Sequence, residues 1–204
     1  MDERPDDPLD GVTGVWLAEV KGGDSDSFGR LYEHIVPALL TWAEFRIRPE
    51  QRQHVDPSDV VQEVWFRAWR QMESFDPEAT PFRFWIFRIA KNVLLEAVRK
   101  TRRADVAGAG TTAKIQQLGE LQDTMTAVSM RLSRDEGLAA FRHEVDALPE
   151  EERKLVVHCG LEGLPLGEVA ERLGISTEAA GKRWQRLRAR LAESSLPEHL
   201  LAGA

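Results

Sequence analysis

The stretch DPSDVVQEVWFRAWRQMESFDP, residues 56–77, sets three large aromatics, Trp65, Phe66 and Trp69, among Gln62, Glu63, Arg67, Arg70 and Gln71. Its start has the grammar of a helix N-terminus. Asp56 can cap, Pro57 suits the first helical position, and Asp59 places a carboxylate beside orphan N–H groups and the positive end of the dipole. The sequence FDPEATP ends it. A helix so divided needs an apolar neighbour on one face and water or a polar partner on the other.

Apolar neighbours are present on both sides of it. Upstream, Phe28, Leu31, Tyr32, Ile35, Leu39, Trp42 and Phe45 recur at three- and four-residue spacing after the breaker GGDSDS, with Pro37 expected to kink that helix. Downstream, Thr80 is expected to cap a helix from Pro81 to about Arg102, with Phe84, Phe87, Leu94, Leu95 and Val98 as inward positions. Residues 1–11 are acidic and lack periodic apolar positions, so they read as a disordered arm. Residues 104–132 are rich in Gly, Ala and Thr and read as a flexible linker. The block 133–193 follows, with a tail at 194–204. Within it, Val169, Ala170 and Leu173 mark one short amphipathic helix and Gly174 ends it. Ser176 or Thr177 caps a second helix carrying Ala180, Trp184, Leu187 and Leu191 inward, which is helix-turn-helix spacing. No segment alternates like a strand. The expected fold class is all-α: two helical domains joined by a flexible linker, the C-terminal one a helix-turn-helix.

Composition narrows the function. With 204 residues, 42% hydrophobic and 30% charged, the chain can form one ordinary domain or two small ones. It lacks the roughly 18 uninterrupted apolar residues of a membrane span, so membrane insertion is not expected, and its acidic start is unlike a secretory signal. A cytoplasmic protein is expected. Cys159 is the sole cysteine and the five histidines are scattered, so neither a disulfide, a metal site nor a cofactor is expected. The formal charge of −7 conceals two basic stripes. Arg83, Arg88, Lys91, Arg99, Lys100, Arg102 and Arg103 face only Glu96 in one, and Lys182, Arg183, Arg186, Arg188 and Arg190 form the other. Because salt screens over about 10 Å, a polyanion would respond to these stripes and not to the total.

Each stripe matches a mode of nucleic-acid contact. Arg and Gln on the exposed half of a second helix can read base edges in a major groove, while Lys and further Arg neutralise phosphates. The alternative is a solvated basic face on an ordinary three-helix domain. The helix beginning near Pro81 sets Phe82, Phe84, Trp85 and Phe87 beside Arg83, Arg88, Lys91 and Asn92, the combination that holds single strands by stacking and charge. Some of those aromatics must be core. A metal-dependent enzyme built on Asp56, Asp59 and Glu63 is disfavoured, since no His or further acid completes the set.

Taken in order, three segments resemble an extracytoplasmic-function sigma factor of the major bacterial sigma family, across residues 12–193. DPSDVVQEVWFRAWRQMESFDP is similar to the part of region two that docks on the β′ clamp helices of core RNA polymerase. PFRFWIFRIAKNVLLEAVRKTRR resembles the part that melts and reads the minus-ten element. LPEEERKLVVHCGLEGLPLGEVAERLGISTEAAGKRWQRLRARL resembles region four, which reads the minus-thirty-five element. The resemblance implies a non-enzymatic subunit that recognises and melts promoter DNA, with core polymerase, through its β′ clamp helices and β flap, and promoter DNA as partners. It assigns Asp59, Gln62 and Glu63 to polymerase; Arg83, Trp85, Arg88, Lys91 and Asn92, with the base-capturing loop 75–81, to the minus-ten strand; and Lys182, Gln185 and Arg186 to bases, with Arg183 and Arg188 on phosphates, in the minus-thirty-five element. It divides the chain into region two at 12–103 and region four at 133–193, and places the linker, with Glu120 and Asp123 as mimics of nucleic-acid charge, in the polymerase channel. Family members are often held by an anti-sigma factor, although nothing in this sequence names one. One departure stands out: where the family commonly carries a basic residue, this chain has Gly181. The competing reading is a helix-turn-helix regulator that binds DNA without polymerase. The helix containing DVVQEVWFRAW, which such a regulator does not need, separates the two.

Overall fold

The computed structural model describes residues 10–22, 24–107, 128, 131–132, 134–193 and 200–201, and every regular element among them is helical. Thus most of the expected acidic arm and linker, including Glu120 and Asp123, lies outside the described residues. The first helix, α1 (Asp10–Lys21), begins two residues before residue 12, where folded structure was expected to start. Asp24 caps α2 (Ser25–Arg46), its carboxylate accepting from the N–H groups of Asp26 and Ser27. Pro37 lies inside α2 without interrupting it.

The helix of the opening stretch is α3 (Pro57–Gln71). Asp56 Oδ1 accepts from Ser58 N at 2.7 Å and Pro57 occupies the first turn, as the sequence implies. Val60, Val61, Val64, Trp65, Phe66 and Ala68 are buried. Trp65 meets Phe28 edge-on at 5.3 Å and Tyr32 at 5.1 Å, which fixes α3 against α2. The following helix, α4 (Phe82–Ala107), turns Phe82, Ile86, Phe87, Ala90 and Val93 into the same core. Leu95, expected inward, is instead exposed. The inward stripe of α4 is set by Ile86, Ala90 and Val93, and Leu95 falls on the far side of it.

The C-terminal block comprises α5 (Glu136–Asp146), α6 (Glu150–Leu155), α7 (Leu166–Leu173) and α8 (Thr177–Ala192). Between α6 and α7 the chain widens into a π-helical turn, Val156–Leu161, ending with Glu162 N–H donating to Val157 O at 3.0 Å. Gly163 then takes φ 67°, a backbone that favours glycine, and reverses the chain immediately after Glu162. Gly174 at φ 68° closes α7 in the same way, and Ser176 Oγ accepts from Ala179 N at 3.2 Å to open α8. Ala180, Trp184, Leu187 and Leu191 are buried, so the helix-turn-helix reading holds in detail. Leu200 and Leu201, in a tail for which the sequence suggested no structure, are buried as well.

The two blocks pack against each other. Arg142 Nε of α5 lies 2.7 Å from Glu44 Oε2 of α2, Arg131 reaches Glu33 at 3.5 Å, and Arg83 Nη1 of α4 donates to the carbonyls of Leu161 at 3.1 Å and Leu200 at 3.3 Å.

Candidate polymerase and nucleic-acid interfaces

The polar side of α3 carries Asp59, exposed, with Gln62 and Glu63 half-buried one turn along. The Asp59 carboxyl is raised from its ordinary value, first by partial burial and then by the neighbouring charge of Asp56. Packing within the chain therefore disfavours this charge. Glu63 is not free-standing. It accepts from Arg67 Nε at 2.8 Å, and the same guanidinium makes a two-pronged pair with Glu96 of α4, Nη1 to Oε1 at 3.0 Å and Nη2 to Oε2 at 2.6 Å. A planar guanidinium holding two carboxylates ties α3 to α4 and orients Glu63 along the ridge. Beside them Trp69 packs edge-on against Phe28 at 4.6 Å while keeping 37% of its surface exposed.

The residues assigned to the melted strand separate into two sets. Arg88 and Asn92 are exposed on one face of α4 and Lys91 is half-buried beside them. Arg83 and Trp85 are inside, at 4% and 6% exposure. Trp85 shares the stripe of Phe82 and Ile89 and lies on Phe75 at 4.5 Å with the rings 35° apart, supporting the loop 75–81 from below. Arg83 spends its guanidinium on backbone carbonyls of the C-terminal block. Aromatic and cationic residues alternate along α4 in sequence, and a helix cannot expose all of them.

On α8 the basic residues stand opposite the buried stripe. Lys182 pairs with Glu178 at 2.6 Å, Arg183 with Glu151 at 2.5 Å and Arg190 with Glu152 at 2.7 Å. These are surface pairs of modest strength, readily exchanged for phosphates. Gln185 and Arg186 are exposed between them, with Arg186 Nε donating to Lys182 O at 3.3 Å, and Arg188 is half-buried. A methyl group on Gly181 would touch only Leu166 Cδ1, at 3.8 Å.

Sequence reasoning missed Glu162. Its side chain is fully excluded from water. Oε1 accepts from Trp42 Nε1 at 2.8 Å and Arg46 Nη2 at 2.7 Å; Oε2 lies 2.8 Å from Lys91 Nζ and 3.0 Å from His158 Nδ1. Burial alone would raise this carboxyl, but the His158 contact and the charges of Arg46 and Lys91 hold it well below the ordinary carboxylate range. The available signal was a lone acid in the apolar run VVHCGLEGLPL. Next to it, burial pushes the Cys159 thiol up to about 12, helped by the Glu162 charge, so this cysteine is an inert packing residue.

Among the described residues no group of three or more His, Cys, Asp or Glu side chains is arranged to hold a metal ion, and no helix is long and apolar enough to cross a membrane. The family model described as Sigma-70 region 2 matches residues 31–104, and that described as Sigma-70, region 4 matches residues 138–191. RNA polymerase sigma factor CnrH of Cupriavidus metallidurans is 29% identical over 178 residues, covering 87% of this chain and 91% of that protein. The ECF RNA polymerase sigma-E factor of Escherichia coli K12 is 30% identical over 163 residues, covering 76% of this chain and 80% of that protein. The solved structure of CnrH in complex with the cytosolic domain of CnrY covers 88% of this chain and 94% of its own at 26% identity, with a TM-score of 0.41. Two region models matched in the order of the two helical blocks, and relatives aligned across both blocks, place this chain in the extracytoplasmic-function (ECF) sigma factors of RNA polymerase.

Proposed function

We propose that this sigma factor engages core polymerase through the α3 ridge of Asp59, Gln62 and Glu63, and promoter DNA through α4 and α8, without catalytic chemistry of its own and in the cytoplasm. The observation that carries this reading is the division of α3. Six buried residues anchor it to α2 and α4 while a carboxylate whose charge the fold disfavours stays at the surface. On α4, Arg88, Lys91 and Asn92 meet the melted strand, and Trp85 acts from beneath as the floor of the loop 75–81. Arg83 is available to nucleic acid only when the two blocks part. On α8, Lys182, Gln185 and Arg186 read the upstream element while Arg183 and Arg188 hold phosphates. A DNA-binding regulator independent of polymerase would leave the α3 ridge without a purpose. The test is co-purification with core polymerase. Gln62→Ala combined with Glu63→Ala should abolish most of the wild-type yield while leaving the helical circular dichroism unchanged. Wild-type recovery of the double variant would remove the ridge from the account.

A further inference from the structure

Three of the four donors that hold Glu162 come from the other block. Trp42 and Arg46 lie one turn apart on α2, and Lys91 projects from α4 towards them. Only His158 belongs to the acid's own segment. The arrangement is asymmetric in a second way. Glu162 has no exposed surface, yet the side chains of Arg46 and Lys91 keep 36% and 35% of theirs. The cations therefore sit at the rim of the N-terminal block, and the acid is brought to them by the π-helical turn and the reversal at Gly163. Remove the C-terminal block, and what remains on the other is an indole N–H, a guanidinium and an ammonium converging on one point. That set matches any compact oxyanion, since guanidinium and ammonium donors serve carboxylate and phosphate alike. Lys91 also neighbours Arg88 and Asn92 on α4, so the point lies beside the surface assigned above to single-stranded DNA.

We propose that Trp42, Arg46 and Lys91 form a binding site for a backbone phosphate of nucleic acid, and that Glu162 fills it when the two blocks are closed. Closure and strand binding then exclude each other, because one anion must leave before the other enters. The same closure holds Arg83 against Leu161 O and Leu200 O. Closing therefore withholds three cations, Arg46, Arg83 and Lys91, from DNA. The choice of nucleic acid as the ligand rests on the function proposed above; the anion site itself does not.

The experiment uses the full chain without polymerase and a fluorescein-labelled single-stranded oligonucleotide of mixed sequence, titrated by anisotropy at several NaCl concentrations. Glu162→Gln keeps the shape and an acceptor for Trp42 but removes the charge that competes with phosphate. It should bind the strand about tenfold more tightly, since apparent affinity scales with the open fraction. The salt slope should steepen by about 2.1, the contribution of three newly available cations on a single strand. Adding Arg46→Gln should remove about a third of that steepening. Arg142→Gln, which breaks the separate inter-block pair with Glu44 and leaves the anion site intact, should also raise affinity. It keeps the test decisive if Glu162→Gln folds poorly. Strand binding equal to wild type in the folded variants, or a steepened slope that survives Arg46→Gln in full, would overturn the proposal. Promoter-dependent transcription by the wild type together with unchanged strand binding by Glu162→Gln would sink this inference alone. A tenfold gain in a protein that never supports transcription would leave the anion site standing and remove the reading on which its ligand rests.

Discussion

At the scale of single residues, the most consequential side chain is one that helix periodicity could not flag. Glu162 follows a π-helical turn, so its direction depends on one extra residue per turn, which a 3.6-residue reading misplaces. Its depressed pKa makes a signed prediction. A carboxyl whose folded pKa lies below its unfolded value stabilises fully above the unfolded value, about 4.3, and that stabilisation fades as pH falls below it toward the depressed value. Glu162→Gln removes the carboxylate charge that Arg46 and Lys91 face and replaces one acceptor oxygen by an NH2 group, a loss of about 2 kcal/mol. In thermal melts it should lower Tm by about 4–8 °C at neutral pH. The difference should shrink steadily in buffers more acidic than the unfolded carboxyl. A deficit independent of pH would assign the effect to packing instead of charge. Gly181 is a second test at this scale. It lies inside α8 with room for a methyl group and no positive φ, so the departure from the family pattern is a helix defect without a structural compensation. Gly181→Ala should stabilise the protein by about 1 kcal/mol, read as a rise in Tm, and leave binding to upstream-element DNA unchanged. A fall in Tm would mean that the space beside Leu166 is less open than the geometry shows.

Elements were legible where caps and stripes agreed. Asp56 with Pro57, Gly174 and Ser176 each sit where elementary capping chemistry places them, and the buried set of α8 is the one the spacing implied. Helix α4 was harder. Its aromatic and basic residues are interleaved so densely that the sequence allowed several inward stripes, and neighbouring helices decided among them. Arg83 and Trp85 went inside, and Leu95 outside. The packing of α4 against the C-terminal block could not be read from α4 itself, because it depends on carbonyls of Leu161 and Leu200, far along the chain. On α8 the exposed cations differ in what surrounds them, and their substitutions should differ accordingly. Arg186 stands on the outer face between Lys182 and Gln185, so Arg186→Ala should cost about 1–3 kcal/mol on the cognate upstream element and far less on scrambled DNA. Arg183, spaced to pair with Glu151, should lower affinity for both DNAs equally when changed to Ala, and reduce the salt slope by about one. Equal losses on both DNAs for Arg186→Ala would withdraw its base-reading role; gel-shift titrations on the two duplexes measure this.

For the molecule as a whole, an all-helical chain of two blocks places its polar ridge on one helix of the first block and basic surfaces on both. The composition was consistent with this only after charge was located along the chain, since the formal charge of −7 points away from nucleic acid. Two separate blocks were legible in the sequence; their mutual docking, through Glu44 with Arg142 and through the cluster around Glu162, was not, because it is built from residues widely separated along the chain. The central claim is that this chain, added to bare core polymerase, selects transcription start sites. The direct measurement is run-off transcription from a library of genomic promoter fragments, with core enzyme alone as reference. Discrete transcripts from a small subset of fragments, lost when Gln62 and Glu63 are both changed to Ala, are the expected result. Transcripts no different from those of core enzyme alone would contradict the account.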